Sequence, residues 1–227
     1  MSGSNEAWLE QARREVSPRK LEKQIALASA ACMVFGREGY ARASVDALAA
    51  AAGVSTRTLY NHFPGGKADL FRTVVTWTSG QVRDAQLARL GALLDPERPP
   101  GPEDLARDLI ALARAFVGLM AEYPNHFALV RHIHAEADHV PPEVLQAWVD
   151  AGPGPVGRAL AEAMAPRRRG SDRRARGRGH GRRALHGAGL ALDRAALPLR
   201  RAPAGQGESD RLIEGGVRAF LRAYRAG

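Results

Sequence analysis

The sequence predicts an all-α protein from two observations. Apolar residues recur every three or four positions between Leu21 and Phe35, and the same spacing returns after Lys67 and from 103 to 122. This spacing is the period of an amphipathic helix. Strand-like alternation of apolar and polar residues does not extend over any useful length. The 227 residues allow one large domain or two small ones.

The composition favours a folded, cytoplasmic chain. Hydrophobic residues make up 45% and charged residues 25% of the sequence, which is ordinary for a globular protein. The longest nearly apolar run, 25–35, is far shorter than the roughly 20 residues of a membrane span. Charged residues interrupt the N-terminal region where a signal peptide would be apolar. Cys32, the single cysteine, argues against a disulfide scaffold or a zinc module and is expected to be buried and inert.

The first half predicts three helices after a flexible N-terminal arm at 1–16. Pro18, preceded by a Ser cap, begins a helix over 18–39, and Gly39 ends it because glycine enters the left-handed conformation cheaply. Ser44 is placed to cap a second short helix over 45–52. Ser55 is placed to cap a third, Thr56–His62, after a turn at Gly53. Two short helices joined by a glycine turn predict a helix-turn-helix, within a DNA-binding domain at 17–67.

The segment from Gly39 to Lys67 resembles the TetR/AcrR family of one-component transcriptional repressors. The resemblance rests on Phe35, Gly39, Tyr40, Ser44-Val45, Leu48-Ala49, Ala52-Gly53-Val54-Ser55, Leu59-Tyr60, His62-Phe63 and Lys67 to Leu70. Pro64-Gly65-Gly66 departs from the family, which more often has a single glycine or a charged residue before the lysine.

The resemblance implies a ligand-responsive repressor that binds operator DNA as a homodimer. It implies that Ser44, Tyr60, His62 and Lys67 hold phosphates, and that exposed residues of the third helix face base edges. The expected DNA-binding residues are Ser44, Ser55, Thr56, Arg57, Thr58, Tyr60, His62 and Lys67. Two alternatives remain open at this stage: Tyr60 and Phe63 as plain core aromatics, and Arg57 as an ordinary solvated charge.

A larger helical domain over 68–227 is expected to bind the ligand and to dimerise. A long helix is predicted to reach about Leu94, a proline-rich loop follows, and helices resume over 103–122 and from Pro124. The stretches 130–137 and 140–153 resemble the C-terminal domain of AefR-like regulators, which implies a small, mostly apolar ligand between helices. Residues that could line such a pocket, or simply form core, are Trp77, Phe116, Met120, Phe127, His134 and Trp148.

The histidines of this domain do not predict a metal site. His132 and His134 are two residues apart and point away from one another on a helix. His132 and Glu136 could share a face, but the sequence supplies no third ligand. Since no phosphate loop, catalytic triad or paired acid stands out either, we expect no metal, no cofactor and no enzymatic activity.

The net charge of +9 comes from one anomalous segment. Residues 166–205 carry twelve Arg and two Asp, a charge of +10, whereas 17–67 carry +4. The segment is interpreted either as an arginine-rich nucleic-acid tail, which would make the chain a nonspecific nucleic-acid binder, or as a pair of compensating frameshifts in a GC-rich gene, which we favour. If genuine, it is expected to weaken the homodimer. The segment after Glu208 has apolar residues at helical spacing, as expected for half of a helical dimer seam: Ile213, Val217, Phe220 and Tyr224.

Overall fold

A computed structural model describes residues 17–94, 101–164 and 206–225, and the secondary structure of these ranges is helical, as predicted. The predicted arm at 1–16 and the whole segment at 166–205 lie outside them. No helix in the described ranges is both long and apolar enough to cross a membrane. The helices are α1 (Pro18–Arg42), α2 (Val45–Ala51), α3 (Thr56–His62), α4 (Gly66–Leu93), α5 (Pro102–Glu122), α6 (Pro124–Ala135), α7 (Pro142–Ala151), α8 (Pro153–Met164) and α9 (Gln206–Arg225), with a 3-10 turn at Ala137–His139.

The described residues form two compact units. One unit takes the chain up to Asp84 together with Met120–Gly152, and the other takes Ala85–Leu119 together with the chain from Pro153 onward. Helices α6 and α7, which the sequence assigns to the ligand-binding half, therefore pack in the same unit as α1 to α3. The boundary after Lys67 between a DNA-binding and a ligand-binding domain remains a prediction, because compact units do not show which function a residue serves.

An apolar core joins α1 to α4 and α6 in the first unit. α1 packs mainly against α6, because its buried face is lined by small residues and by Phe35. The ring of Phe35 meets that of Phe71 edge-on at 4.7 Å between centroids, and the ring of Tyr40 also lies 4.7 Å from that of Phe71. Such aromatic contacts add stabilisation beyond the area they bury. They place the C-terminal end of α1 against the first turns of α4.

The direction of α1 changes at Gly39. This residue has φ 80° and ψ 173°, a conformation that costs little for glycine alone, so the regular helix breaks there although helical turns continue to Arg42. Gly39 therefore interrupts the helix at its predicted last residue, but the helix does not end there as predicted, because it continues to Arg42.

The second unit has its own core of leucines. Leu90, Leu109, Leu160 and Leu221 are buried together, and α5 is tied to α9 by Arg114, whose Nε donates to Asp210 Oδ1 at 2.7 Å. Val217 and Phe220 of the predicted dimer seam pack against this core. These two side chains therefore stabilise their own unit. Helical spacing alone does not show whether an apolar face packs within its own chain or against a second copy.

Buried polar side chains in the described ranges cluster on α4 and its neighbours. His126 Nδ1 lies 3.1 Å from Thr78 Oγ1, which itself donates to the carbonyl of Val74, so the histidine nitrogen is the donor. Burial lowers the pKa of His126 to about 4. Arg83, also buried, donates to Asp84 Oδ1 and to the carbonyl of Ala151. A histidine expected at the surface or in a pocket is thus a neutral core residue.

Acid is expected to destabilise the protein through His126. In the unfolded chain this histidine regains its ordinary pKa of 6.5. Between about pH 6.5 and pH 4 the unfolded state therefore binds a proton that the folded state does not bind. The free energy of unfolding should fall by about 2 kcal/mol between pH 7 and pH 5, and this loss ends near pH 4. Urea unfolding at the two pH values measures it.

The glutamine variant separates this histidine from the other titrating groups. His126→Gln keeps a donor for Thr78 but cannot be protonated, so its unfolding free energy should depend less on pH. His139→Gln removes an exposed histidine and should follow the unmodified chain. Equal pH dependence in the His126 variant and the unmodified chain would contradict the prediction.

Candidate nucleic-acid interface

The turn between α2 and α3 is closed by backbone hydrogen bonds around Gly53. The amide of Gly53 donates to the carbonyl of Ala50, and that of Val54 donates to the carbonyl of Ala49, both at 3.0 Å. This pair of bonds is the Schellman ending of a helix, and its left-handed position is Gly53, with φ 66°. Val54 packs against the first core. The glycine turn predicted from sequence is therefore present, and it fixes where α3 begins.

Serine caps begin both short helices. Ser44 Oγ accepts the amide of Ala47 at 3.0 Å, and Ser55 Oγ accepts the amide of Thr58 at 3.1 Å. Each cap satisfies one of the amides that a helix leaves unpaired at its N-terminus. Both serines are exposed, so their helix N-termini are open to an anion such as a DNA phosphate.

α3 presents polar side chains on one side and a buried leucine on the other. Leu59 is completely buried, whereas Arg57 is exposed and Thr56 is half-buried. The hydroxyl of Thr58 lies 2.9 Å from that of Ser55, so this threonine, expected at base edges, is engaged in the cap of its own helix.

The two aromatic residues of this region have different places. Phe63 is 3% exposed and belongs to the core, as its alternative interpretation predicts. Tyr60 is 49% exposed, which excludes the interpretation of this residue as plain core. Its ring lies over Gly66, whose amide closes a turn by donating to the carbonyl of Phe63 at 2.8 Å.

His62 is half-buried beside the basic N-terminal end of α1. Its Nδ1 is buried and has no hydrogen-bond partner in the described structure, while its carbonyl accepts from Gln24 Nε2 at 3.4 Å. Burial lowers the pKa of His62, and the positive charges of Lys20 and Lys23 lower it further. Sequence reasoning missed these two lysines, although three basic residues within the first six of α1 were visible as a signal.

Lys67 makes contacts within the protein. Its ammonium donates to the carbonyls of Tyr40 at 3.0 Å and of Ala41 at 3.4 Å, and it lies 4.7 Å from the centre of the Tyr40 ring. Sequence reasoning anticipated a phosphate contact and did not foresee this role in closing the end of α1. The two roles are compatible, because an ammonium group has three N–H donors.

The residues expected to line a ligand pocket are distributed over both compact units. Trp77 and Trp148 pack against the first core, and Phe116 packs against the second. The ring of His134 meets that of Trp148 edge-on at 5.1 Å, and Phe127 makes a similar contact with His126 at 5.2 Å. Met120 is half-buried in the first unit.

Two further sequence expectations concern reactive groups. Burial raises the pKa of the Cys32 thiol to about 11, which keeps it protonated and unreactive. His132 Nδ1 lies 3.5 Å from Glu136 Oε1, so these residues share a face as expected. Within the ranges the structure describes, no group of three His, Cys, Asp or Glu side chains is arranged to hold a metal ion.

The fold and the capped helix pair define a helix-turn-helix DNA-binding regulator. Residues 27–74 match the family model of bacterial regulatory proteins of the TetR family. Residues 107–226, more than half of the chain, match the model of the AefR-like transcriptional repressor C-terminal domain. The chain belongs to the TetR family and carries an AefR-like C-terminal domain. No curated protein sequence matches it.

Solved structures with the same fold include proteins described as TetR-family regulators. A regulator from Mesorhizobium loti is 23% identical with a TM-score of 0.64, covering 91% of this chain and 98% of its own. One from Shewanella sp. PV-4 is 18% identical with a TM-score of 0.57, covering 88% and 97%. The fatty acid degradation regulator FadR from Bacillus halodurans is 16% identical with a TM-score of 0.54, covering 88% and 94%. These likenesses establish the fold.

Replacing Gly66 is expected to disturb both the start of α4 and Tyr60. Gly66 has φ 63°, and an added Cβ would lie 3.1 Å from Tyr60 Cε1. Gly66→Ala should lower the free energy of unfolding by about 1–2 kcal/mol, the cost of a left-handed alanine, and should weaken DNA binding if Tyr60 contacts DNA. Urea unfolding and fluorescence anisotropy with labelled duplex DNA measure the two effects.

Gly91→Ala is the matched control. Gly91 also lies in α4, but space around it is open and its φ is helical, so alanine there should leave DNA binding unchanged and stability equal or higher. If the Gly66 variant loses stability but binds DNA as before, the expected contact between Tyr60 and DNA is contradicted.

Proposed function

We propose that this TetR-family transcriptional regulator is a cytoplasmic homodimeric repressor. Each α3 lies in the major groove of a near-palindromic operator, and a small, mostly apolar ligand releases the protein from the DNA. The exposure of Arg57 and Tyr60 on a short, serine-capped helix that Leu59 anchors in the core carries the proposal. A recognition helix needs this combination of a fixed back and an exposed polar front.

The proposed contacts divide into positioning and reading. Ser44 and Ser55 bind phosphates at helix N-termini, where unpaired amides and the helix dipole favour an anion. Further phosphates are bound by Tyr60, His62 and Lys67. Lys67 uses two of its three N–H donors on carbonyls of α1, and the third donates to a phosphate. Arg57 reads base edges, because a guanidinium can donate two parallel hydrogen bonds to guanine. Thr56 contacts bases through its methyl or hydroxyl group, and Thr58 contacts them through its methyl group, because its hydroxyl pairs with Ser55.

Lys20 and Lys23 extend the proposed phosphate surface. Their charges act on His62, so the N-terminal end of α1 lies near the C-terminal end of α3. Two lysines here would neutralise phosphates beside those bound by the short helices.

The proposed effector site uses aromatic residues of the predicted ligand-binding domain at 68–227. Trp77, Phe127, His134 and Trp148 supply apolar and ring surfaces in the first unit, a composition that suits a mostly apolar ligand with few polar groups. FadR, one of the solved structures with this fold, regulates fatty acid degradation, which is compatible with an apolar effector.

DNase footprinting on the DNA upstream of the coding gene tests the repressor function. A bounded, two-fold symmetric protected site supports specific binding, with half-sites about one helical turn apart. Uniform coating of the DNA would instead support a nonspecific nucleic-acid binder, and deletion of 166–205 would show whether that segment causes it.

Arg57→Ala is expected to weaken operator binding and relax sequence preference. Loss of one base-reading arginine costs about 1–3 kcal/mol, which is roughly 5-fold to 160-fold in affinity. Fluorescence anisotropy should be measured with the footprinted duplex and with a scrambled duplex of equal length. Affinity for the scrambled duplex should change much less.

Arg131→Ala is the charge-matched control. Arg131 is exposed on α6, so its loss removes the same charge from another helix of the same unit. If both variants lose equal affinity for both duplexes, Arg57 contributes charge without reading bases.

An effector is expected to stabilise the protein and release the DNA together. A compound that binds the folded state raises the melting temperature by mass action. A thermal-shift screen of apolar acids and phenols, followed by footprinting with each stabilising compound, measures both effects. Compounds that stabilise the chain but leave every footprint intact would contradict the ligand-released repressor.

A further inference from the structure

Two oppositely charged side chains hold residues 39–41, which lie in the last turn of α1 shortly before α2. Glu136, at the end of α6, accepts the amide of Ala41 on its Oε2 at 3.1 Å. Lys67, in the first turn of α4, donates to the carbonyls of Tyr40 and Ala41. A carboxylate therefore satisfies an N–H of this segment, and an ammonium satisfies its carbonyls. The carbonyls of Tyr40 and Ala41 lie in the last turn of α1, where a helix leaves its C=O groups without partners of its own.

Gly39 is required for the approach of Glu136. The carboxylate lies directly against the glycine, so an added Cβ would overlap Oε1 and lie 2.8 Å from Cδ. The φ of 80° at this residue independently favours glycine. Both the backbone conformation and the close approach of the Glu136 carboxylate therefore favour glycine at position 39.

The segment held in this way leads directly to the proposed DNA contacts. Ala43, two residues after Ala41, is 2% exposed, and Ser44 follows as the cap of α2. With so few residues between them, a change at Ala41 is passed to Ser44 and to the N-terminus of α2. His132 Nδ1 lies 3.5 Å from the other carboxylate oxygen, which helps to orient Glu136.

We propose that Glu136 is a positioning residue for DNA binding: it acts through the amide of Ala41 to set the place of Ser44 and α2. This inference rests on the proposed function, because the positioned groups are its DNA contacts. The residue comes from the part of the chain matched by the AefR-like C-terminal model, yet it supports an element of the DNA-binding half.

The test compares Glu136→Ala with Glu136→Gln on a duplex selected from a random-sequence pool by the unmodified chain. Alanine removes the acceptor for Ala41, and we expect about tenfold weaker binding, the size of one charge-assisted hydrogen bond. Glutamine keeps an oxygen acceptor and should bind within about threefold of the unmodified chain. Removing a negative charge alone would strengthen DNA binding, so a loss in the alanine variant has the opposite sign to the general charge effect.

Three further measurements separate positioning from a structural role. The salt dependence of binding should keep its slope in Glu136→Ala, because no phosphate contact is removed. Hydrogen exchange at the Ala41 amide should become faster in the alanine variant and stay slow in the glutamine variant. Asp138→Ala, which removes an exposed carboxylate from the neighbouring turn, should change neither affinity nor exchange.

The failure of this inference is distinct from that of the proposed function. Binding that survives Glu136→Ala but is lost in Arg57→Ala overturns the role of Glu136 alone, whereas binding that survives both overturns the proposed interface as well. If the alanine variant does not fold, Glu136→Asp replaces it, since a carboxylate one methylene shorter falls short of Ala41. Equal binding by the aspartate and glutamine variants would then overturn the proposal.

Discussion

The contact of α1 with α4 through Phe35, Tyr40 and Phe71 holds the C-terminal end of α1 against the first turns of α4. Three aromatic rings meet at the point where α1 kinks, and Lys67 lies over the Tyr40 ring from the start of α4. Aromatic packing is costly to rearrange because close-packed cores leave no room for an alternative placement. The C-terminal end of α1 is therefore held by apolar packing of Phe35 and Tyr40 and by hydrogen bonds to the backbone of Tyr40 and Ala41.

The short helices depend on local chemistry as much as on this core. Helices of seven residues are too short to be stable alone in water. α2 and α3 each use a serine cap, and a glycine-centred ending joins them. Buried Leu48 and Leu59 then attach both helices to the core. Because the caps and the buried leucines stabilise both helices, the exposed side chains of α3 are available for recognition.

Sequence patterns predicted the helices well because each boundary has a local cause. Thr56–His62 was predicted at its observed bounds, since Ser55 and the following Phe63-Pro64 mark its ends. Side-chain partners were harder to predict. Lys67 was predicted to bind phosphate, and its bonds to Tyr40 and Ala41 depend on a kink at Gly39, 28 residues earlier. His126 looked like any histidine of an amphipathic helix, and only packing against Thr78 makes it a neutral core residue.

By itself the sequence determined the all-α class, the caps and glycine turn of the helix-turn-helix, and the exposure of Arg57. These properties follow from hydrophobic period, from hydroxyl groups that pair with neighbouring amides and from the conformational freedom of glycine, all of which act over a few residues. The tertiary structure decided that Glu136 reaches Ala41 across 95 positions of sequence, and that Val217 and Phe220 pack within their own unit. Such contacts depend on how helices pack, which no local spacing specifies, because one amphipathic face can be buried against several different partners.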